Sequence, residues 1–343
     1  MNISSHSMNK YDIITTEDLN IIDIIINCTV INIVAIFGVV GNVLNVVILS
    51  YQGLGDSTNV ILFSLSLVDL LYVAALPVRR ISCLVSRFDP FLAMEVDAYV
   101  NMCLAVPLRL ISLISSAHIV MISAERNVAV YLPLLVTRIF TVRNTVLYLL
   151  FLYIFWLVLS VPLFNMFAVT STLDPTTNTT LTTLTFSDFF LFNTDALVFY
   201  NLFVVTNIRG PISLIFIFLS SIATGAKLHQ ATKKRLKLTS SAQKPKFDIK
   251  AVKMLLMVCL VYLGISVPGF IPILMYYVDQ TFYLFEGRTT LIYVASEYMI
   301  DFLLIVNSSV NFLIYVTMSR KFSRTYSFLI EKWLSSRLST VKN

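Results

Sequence analysis

Seven long stretches of apolar residues, separated by polar or turn-forming segments, dominate the pattern of this chain. They lie near residues 26–50, 58–83, 99–124, 145–168, 197–225, 251–277 and 290–316. Each provides about the 20 residues that a helix needs to cross roughly 30 Å of hydrocarbon. Polar side chains interrupt the fifth stretch, at Asn201, Thr206, Asn207 and Arg209. The pattern predicts an all-α membrane protein, a seven-transmembrane helix bundle.

The composition supports this prediction and limits the domain organisation. Of the 343 residues, 57% are hydrophobic and 13% are charged, whereas about a quarter of the residues in a soluble domain are charged. We expect an N-terminal tail over 1–25, a transmembrane domain over 26–316, and an amphipathic helix with a tail over 317–343. That short eighth helix is predicted because apolar residues recur at helical spacing within 319–334.

The loop charges indicate the orientation of the bundle. If the N-terminus lies outside, the inner segments hold 18 of the 25 basic residues, and the outer segments hold five: Lys10, Arg79, Arg80, Arg87 and Arg288. Because basic residues concentrate on the cytoplasmic side, we expect a multi-pass plasma-membrane protein with its N-terminus extracellular and its C-terminus cytoplasmic. The net charge of +6 therefore reflects membrane orientation, and nucleic acid is not an expected partner.

Two glycosylation sequons lie on the side assigned outside, at Asn2 and Asn178. A third sequon, at Asn27, lies close to the predicted membrane surface. We expect glycans on Asn2 and Asn178.

Five charged residues fall inside the predicted spans, where charge is costly and faces the bundle interior. They are Asp69, Arg109, Arg209, Glu297 and Asp301. They either serve function or make structural polar contacts between helices.

Asp69 is a candidate cation ligand. Ser115, Asn307 and Asn311 lie at a similar depth in other spans, and oxygen ligands around one carboxylate suit a small hard cation such as sodium. Polar contacts between packed helices are the alternative. Apart from this allosteric sodium ion, no cofactor is expected.

Several motifs, in order along the chain, resemble those of rhodopsin-like (class A) G-protein-coupled receptors. Gly41-Asn42 is similar to the first-helix motif, Leu65 to Asp69 to the second, and Glu125-Arg126-Asn127 to the Asp/Glu-Arg-Tyr motif. The remaining matches are Trp156 in the fourth span, Pro211 and Pro268 in the fifth and sixth, and the Asn-Pro-x-x-Tyr-like segment Asn307 to Tyr315 in the seventh.

The resemblance implies a receptor that couples an extracellular ligand to a heterotrimeric G protein. Arg126 would be the activation switch, with Glu125, Asn311 and Tyr315 as further switch residues. Asp248 lies 20 residues before Pro268, at the cytoplasmic base of the sixth helix. We therefore expect an Arg126–Asp248 ion pair in the inactive state; a solvated Asp248 is the alternative.

The chain departs from the family pattern at four places. Ser266 stands in place of the sixth-helix tryptophan, Asn127 in place of the tyrosine after the switch arginine, and Phe312 in place of the seventh-helix proline. The second outer loop contains no cysteine, so the usual disulfide to the third helix cannot form. A Cys83–Cys103 bond is the substitute we expect, with free thiols as the alternative.

Two classes of ligand fit the charged residues in the predicted spans. Glu297 and Asp301 could attract a cationic peptide, or Arg109 and Arg209 could bind the carboxylate of an acidic or amino-acid-like ligand. Leu108 stands where amine receptors carry an aspartate, which disfavours monoamines. The seventh-helix segment resembles that of invertebrate FMRFamide-like neuropeptide receptors and chemosensory receptors, and a neuropeptide is the preferred ligand.

Two other functional classes are less well supported. A membrane transporter or channel could also contain buried charges, but its internal repeats are missing from the sequence. An enzyme is not expected, because no metal cluster, phosphate-binding loop or nucleophile–base pair is recognisable.

Overall fold

The structure, a computed structural model, describes residues 15–174, 179–205, 208–237, 249–268 and 290–340. Within them, seven long helices form the predicted bundle. These first to seventh membrane helices are Ile31–Gln52, Ser57–Arg79, Pro90–Tyr131, Val142–Ser160, Ser213–Lys237, Ile249–Ser266 and Thr290–Met318. Six of these seven helices provide segments that are long and apolar enough to span a membrane, and the sixth helix provides the shorter apolar stretch Val252–Ser266. The predicted fold class is confirmed.

Large apolar side chains on the outside of the bundle show where lipid lies. Phe37 and Phe151 are about 70% exposed, at 71% and 69%. Large contiguous apolar surfaces are unfavourable in water, and helices satisfy their backbone hydrogen bonds internally, so these faces suit hydrocarbon. The buried interior, by contrast, contains polar side chains such as Asp69, Asn42 and His118.

Shorter elements connect and cap the membrane helices. The helices are Thr16–Asp23, Ser82–Val85, Pro133–Ile139, Asp188–Phe192, Thr194–Phe199 and Arg320–Thr340; π-helical turns are Ile24–Val30, Tyr200–Val205 and Ile208–Ile212, and Val161–Asn165 is a 3₁₀ turn. We call the end of the bundle with Thr16–Asp23 the N-side, and the end with Pro133–Ile139 and Arg320–Thr340 the C-side.

The third helix begins at Pro90, nine residues before the predicted 99. Its start is fixed by Asp89, whose carboxylate accepts hydrogen bonds from the amides of Phe91 (2.9 Å) and Leu92 (3.1 Å). An aspartate at the N-cap followed by proline at the first helical position is a strong start signal. The hydropathy window missed it, because the first turns of this helix carry Glu95 and Asp97.

The fifth span is irregular, as its interrupting polar residues suggested. Two π-helical turns precede the regular helix, and Pro211 lies in the second of them. Proline has no amide hydrogen to donate, so the ladder of backbone hydrogen bonds from residue i to residue i−4 is interrupted at this position. The α-helix starts two residues later, at Ser213.

A β-hairpin between the fourth and fifth helices was not predicted. Strand β1, Phe167–Asp174, pairs antiparallel with β2, Thr179–Phe186, and Phe167 opposes Phe186 at the open end. Their rings stack with centroids 5.9 Å apart. The run of β-branched threonines in this segment was the available signal.

The predicted Cys83–Cys103 bond is wrong. Cys83 is bonded to Cys28, and the two Cα atoms lie 5.6 Å apart. Cys103 is exposed and free on the third helix, and Cys259 is buried and free. Cys83 follows the end of the second helix, where it meets the π-helical turn that carries Cys28. The bond therefore fastens the start of the first helix to the loop after the second.

The helix Arg320–Thr340 lies against the first and seventh membrane helices. Gln52 donates a hydrogen bond of 3.1 Å to Thr325, and the rings of Tyr51 and Phe328 are 5.9 Å apart. Phe312, in the position of the family's proline, packs on Tyr326 at 5.6 Å. The aromatic side chain thus joins the seventh helix to the C-terminal one.

Candidate functional site

A large cavity opens on the N-side of the bundle. It has a volume of about 1190 Å³, and its described walls come from the second, third, fifth, sixth and seventh helical segments and from the hairpin β1–β2. Asp23 lies at its rim, and Tyr262 and Ser266 lie at its deep end. Concave, partly apolar cavities with a few convergent polar groups are the usual ligand sites of proteins.

Asp301 is the centre of an ion-pair cluster in the cavity wall. Arg79 approaches its carboxylate at 3.4 Å, and the Arg80 Nε donates to the same oxygen at 3.0 Å, with a second, shorter contact from Arg80 Nη2. The side chains are 7–17% exposed, so the pairs are shielded from solvent. The cluster ties the second helix to the seventh.

The third helix joins the same cluster through an amide. Arg79 Nε donates to Asn101 at 2.9 Å, and Asn101 donates to the Asp97 carboxylate at 3.0 Å. Ser82, after the second helix, also donates to Asp97 at 2.8 Å. Arg79 therefore contacts Asp301 on the seventh helix directly and is linked to Asp97 on the third helix through Asn101.

Two further charged side chains line the cavity beside this cluster. Glu297 precedes Asp301 by one helical turn, and it interacts electrostatically with Asp301, Arg79, Arg80 and Arg109. Arg109 projects from the third helix into the same cavity. Arg80 also lies 5.0 Å from the ring centroid of Tyr298. The structure thus brings Arg109, Glu297 and Asp301 into one cavity.

Arg209, the fourth predicted ligand residue, has its side chain outside what the structure describes. Its backbone lies in the π-helical turn Ile208–Ile212. The neighbouring Gly210 lines the cavity. A role for Arg209 in binding stays a prediction.

Asp69 lies at the centre of the bundle and is completely buried. Ser115 donates to one of its oxygens at 2.8 Å, and Asn311 donates to the other at 2.7 Å. Ser308 is also hydrogen-bonded to it. The second, third and seventh helices therefore meet at this carboxylate. Asn307 is buried on the seventh helix, and within the described residues it is not among the groups bonded to Asp69.

The first helix is joined to this polar centre by Asn42. Its amide donates to the Ser308 carbonyl at 2.8 Å and to the Gly38 carbonyl at 3.0 Å. The contact is close because Gly38 and Gly41 face the seventh helix, and a Cβ atom on Gly41 would lie 3.0 Å from Cβ of Phe312.

On the C-side, Glu125 holds Arg126 at the base of the third helix. Arg126 Nη2 donates to Glu125 at 2.9 Å and makes a short hydrogen bond to Thr58. Ser57 and Thr58 also donate to Glu125, at 2.7 and 2.9 Å. The start of the second helix thus fixes both members of the predicted switch. Asp248, the expected partner of Arg126, lies outside the described residues.

Asn127 connects the third helix to the fifth. Thr224 donates to its side-chain oxygen at 2.9 Å, and its amide nitrogen makes a short hydrogen bond to Ser220. Tyr131, one turn further along, donates to the Ala223 carbonyl at 2.8 Å. An amide has both a donor and an acceptor, so asparagine can bind two hydroxyls here.

The order of these groups along seven membrane helices agrees with a family model. The model described as 7 transmembrane receptor (rhodopsin family) matches residues 41–315, which are 275 of the 343 residues. The chain belongs to this receptor family. A search of curated proteins finds no match. The receptor is therefore a multi-pass membrane protein of the class that couples extracellular ligands to G proteins.

Three residues of this receptor complete the Asp301 cluster and the Arg126 site but were not predicted from the sequence to do so. Arg79 and Arg80 were interpreted only as loop charges, although two adjacent arginines at a helix end close to buried acids are candidates for pairing. Thr58, at the first turn of the second helix, carried no signal until its distance from Arg126 was known. Asn2 and Asn178 lie outside the described residues, and their glycosylation stays a prediction.

Proposed function

We propose that this receptor binds a peptide, most simply a neuropeptide, in the N-side cavity and signals through Arg126 to a heterotrimeric G protein. The observation that carries the proposal is the cavity itself, which combines a volume of about 1190 Å³ with charged groups of both signs. Pockets for single small molecules usually measure about 300–1,000 Å³. A cavity above that range has room for several residues of a peptide.

The charges of the cavity favour a specific anchor. Asp301 is already paired with Arg79 and Arg80, and its role in ligand binding stays a prediction. Glu297 lines the same cavity without a hydrogen bond from those two arginines in the described structure. We infer that Glu297 is the group that attracts the cationic residue of a peptide, with Asp23 and Asp97 nearer the rim.

The proposed orientation places the N-side cavity outside the cell. It is supported by the excess of basic residues on the C-side, including Lys227, Lys233, Arg320, Lys321 and Arg324. A ligand would then enter beside Asp23 and β2, and the G protein would meet the surface around Arg126. The plasma membrane is the expected location.

We further propose that Asp69 binds a sodium ion that modulates the receptor. The fit rests on Asp69 itself, a carboxylate that is fully buried, with the hydroxyl of Ser115 at 2.8 Å and the amide of Asn311 at 2.7 Å. A hard monovalent cation would compensate the buried charge. Asn307, on the same helix, was predicted as a further ligand, and that role stays a prediction.

A small acidic or amino-acid-like ligand is the second candidate. It is favoured by the three guanidinium groups of Arg79, Arg80 and Arg109 around two carboxylates in the cavity wall. An arginine can bind a carboxylate with two parallel hydrogen bonds. Such a receptor would be chemosensory.

The test is a second-messenger assay of cells expressing the receptor, with a library of amidated neuropeptides and a set of small amino-acid-like acids. We expect a peptide response that Arg126→Ala abolishes and that Glu297→Gln weakens at least about tenfold, because a charge-assisted bond contributes about 1.5–3 kcal/mol. Arg109→Gln is the matched variant on the opposite wall.

A response to small acids alone, lost in Arg109→Gln and retained in Glu297→Gln, would overturn the peptide proposal in favour of the chemosensory one. Surface expression of every variant is measured in parallel, so that a loss of signal is assigned to binding or coupling and not to folding.

A further inference from the structure

Two carboxylates at the mouth of the cavity come from different segments of the chain. Asp23 ends the N-terminal helix Thr16–Asp23, and Asp97 lies near the start of the third helix; both line the cavity and are partly buried. The Ser82 hydroxyl donates to Asp97 at 2.8 Å. The next residue, Cys83, has its sulfur 4.0 Å from the Asp23 carbonyl oxygen. The two acids therefore flank one short loop at the rim.

Tyr298 on the seventh helix connects the two acids. Its side chain is hydrogen-bonded to Asp23, and it also interacts electrostatically with Asp97. It lines the same cavity. The N-terminal helix, the third helix and the seventh helix thus each contribute one oxygen-bearing side chain to one region. We call Asp23, Asp97 and Tyr298 the rim cluster.

The rim cluster carries negative charge that the described cavity does not balance. Four carboxylates and three guanidinium groups line the cavity, namely Asp23, Asp97, Glu297 and Asp301 with Arg79, Arg80 and Arg109. Two of the arginines are paired with Asp301, and within the part of the chain that the structure describes neither Asp23 nor Asp97 is in an ion pair. Because a partly buried carboxylate without a cation is costly, the rim cluster favours a bound cation.

A buried amide beside Asp23 indicates the kind of cation. Asn27 is 1% exposed, and its Nδ2 donates to the Asp23 carboxylate at 2.7 Å. Its Oδ1 is buried and has no hydrogen-bond partner among the described residues, although leaving a buried polar atom unpaired is costly. The oxygen and the nitrogen belong to one planar amide, so the unpaired oxygen lies beside the same carboxylate. An unpaired oxygen next to a carboxylate suits a metal ion that prefers oxygen ligands.

We propose that the rim cluster and Asn27 bind a calcium ion, which joins the N-terminal helix to the third and seventh helices at the mouth of the cavity. Ca²⁺ takes about six to eight oxygen ligands in a flexible geometry, from carboxylates, amide oxygens and water. Mg²⁺ requires a nearly ideal octahedron, which side chains from separate segments do not preset. Zinc prefers sulfur and nitrogen ligands, but the nearby sulfurs of Cys28 and Cys83 are bonded to each other.

The test is the thermal midpoint of the purified receptor in nanodiscs, titrated with CaCl₂ after treatment with EGTA, with choline chloride keeping the ionic strength constant. The midpoint should rise by at least about 2 °C and saturate, with a dissociation constant of about 0.1–1 mM, the range of extracellular calcium sites. Asp23→Asn and Asp97→Asn should each raise that constant at least about tenfold, because each removes a charged ligand. Glu95→Gln, an exposed acid on the third helix that does not line the described cavity, is the matched control and should keep the wild-type constant.

Asn27→Leu distinguishes a calcium ligand from a structural contact. If Asn27 supplies an oxygen to the ion, this variant should bind calcium more weakly than the wild type. If the amide serves structure alone, the variant changes the calcium-free midpoint and keeps the wild-type dissociation constant, which would remove Asn27 from the site and overturn the proposal. If Asp97→Asn does not fold, Asp23→Asn and Asn27→Leu together provide the comparison.

Two further controls fix the identity of the ion and its position. An equal rise of the midpoint with MgCl₂, or a wild-type calcium shift in the Asp23→Asn/Asp97→Asn double variant, would overturn the proposal. Terbium(III), which occupies calcium sites and emits when a tyrosine close to it is excited, should emit in the wild type and be displaced by CaCl₂. That emission should be largely lost in Tyr298→Phe; emission of wild-type strength there would place the ion elsewhere and overturn the site.

The calcium response should be independent of both earlier proposals. Asp69→Asn should keep the calcium shift, because the proposed sodium site lies at the centre of the bundle and not at its rim; loss of the shift in this variant would overturn the assignment to the rim. Calcium binding needs no ligand, and Glu297 stays available for the proposed one. A failed peptide library would therefore leave the calcium result standing.

Discussion

One carboxylate oxygen of Asp301 contacts the guanidinium groups of two consecutive residues, Arg79 and Arg80. The two arginines differ in how closely they approach it. Arg80 reaches that oxygen with two nitrogen atoms, whereas Arg79 approaches it at 3.4 Å and donates its Nε hydrogen to Asn101. A buried charge without its partner is strongly destabilising. The stability of the N-side should therefore depend more on Arg80 than on Arg79.

Arg80→Gln should lower the free energy of unfolding by about 3 kcal/mol and Arg79→Gln by less, because buried pairs cost about 3–5 kcal/mol when broken. The thermal midpoint of the purified receptor measures both effects. Arg87→Gln, at an exposed position in the same loop, should leave the thermal midpoint unchanged. The Arg80→Gln/Asp301→Asn double variant should lose less than the sum of the single ones; additive losses would show that the two residues do not interact.

Asp69 allows a residue-scale test of the sodium proposal. Replacing choline chloride by sodium chloride should raise the thermal midpoint of the wild-type receptor, by a stabilisation of roughly 1.4 kcal/mol when sodium is tenfold above its dissociation constant. Asp69→Asn should remove the difference between the two salts. Ser66→Ala, a buried change on the same helix whose hydroxyl bonds only Leu62 within the described residues, should keep it. A sodium effect of equal size in Asp69→Asn would sink the proposed site.

At the scale of the elements, the contact between the first and seventh helices is set by glycine. A Cβ atom on Gly38 would lie 2.9 Å from Val73 Cγ1 and still closer to Ser309 Oγ. The carbonyls of Val34 and Ile305 accept from that same Ser309 hydroxyl. The hydroxyl is fixed between the two helices and cannot move away easily.

Gly38→Ala should destabilise the receptor by about 1–3 kcal/mol, the usual cost of overpacking, although alanine is intrinsically the better helix former by about 1 kcal/mol. Gly264→Ala is the matched control, since a methyl group added there would have no described atom within 4 Å, and it should be neutral or stabilising. Adding Ser309→Ala to Gly38→Ala should recover part of the loss. Equal thermal midpoints for Gly38→Ala and Gly264→Ala would contradict the close contact.

The elements also show what the sequence could and could not predict. The seven helices follow from long apolar runs, a signal that depends only on each segment itself. The true start of the third helix at Pro90 and the hairpin Phe167–Phe186 depend on local capping and pairing, which a hydropathy window does not detect. The Cys28–Cys83 bond and the Arg80–Asp301 pair depend on which helix ends meet, and that information is available only from the assembled bundle.

At the scale of the whole molecule, the orientation in the membrane is a prediction with a direct test. If the N-side is extracellular, glycosidase treatment should lower the apparent mass of the expressed receptor. The same treatment should leave the apparent mass of the Asn2→Gln/Asn178→Gln double variant unchanged. Asn27 should carry no glycan, because it is buried and donates to Asp23 at 2.7 Å. An epitope tag after Asn343 that antibodies reach on unpermeabilised cells would contradict the orientation.

The two ends of the molecule are connected through polar groups that each join several helices. Asp301 joins the second and seventh helices near the ligand cavity, Asp69 joins the second, third and seventh at mid-depth, and Glu125 joins the second and third on the C-side. The second helix takes part in all three. A ligand that displaces it on the N-side therefore acts on the segment that holds Arg126 in place.

Glu125→Gln should raise ligand-free signalling about three- to tenfold, because it removes the charge that holds Arg126 and so shifts the equilibrium toward the released state by about 1 kcal/mol. Ser57→Ala is the matched control, since Ser57 bonds Glu125 but not Arg126, and it should have a smaller effect. Asp248→Asn tests the partner of Arg126 that the sequence predicted. If Asp248→Asn raises basal nucleotide exchange and Glu125→Gln does not, at equal surface expression, the inactive state is held from the sixth helix and not from the second.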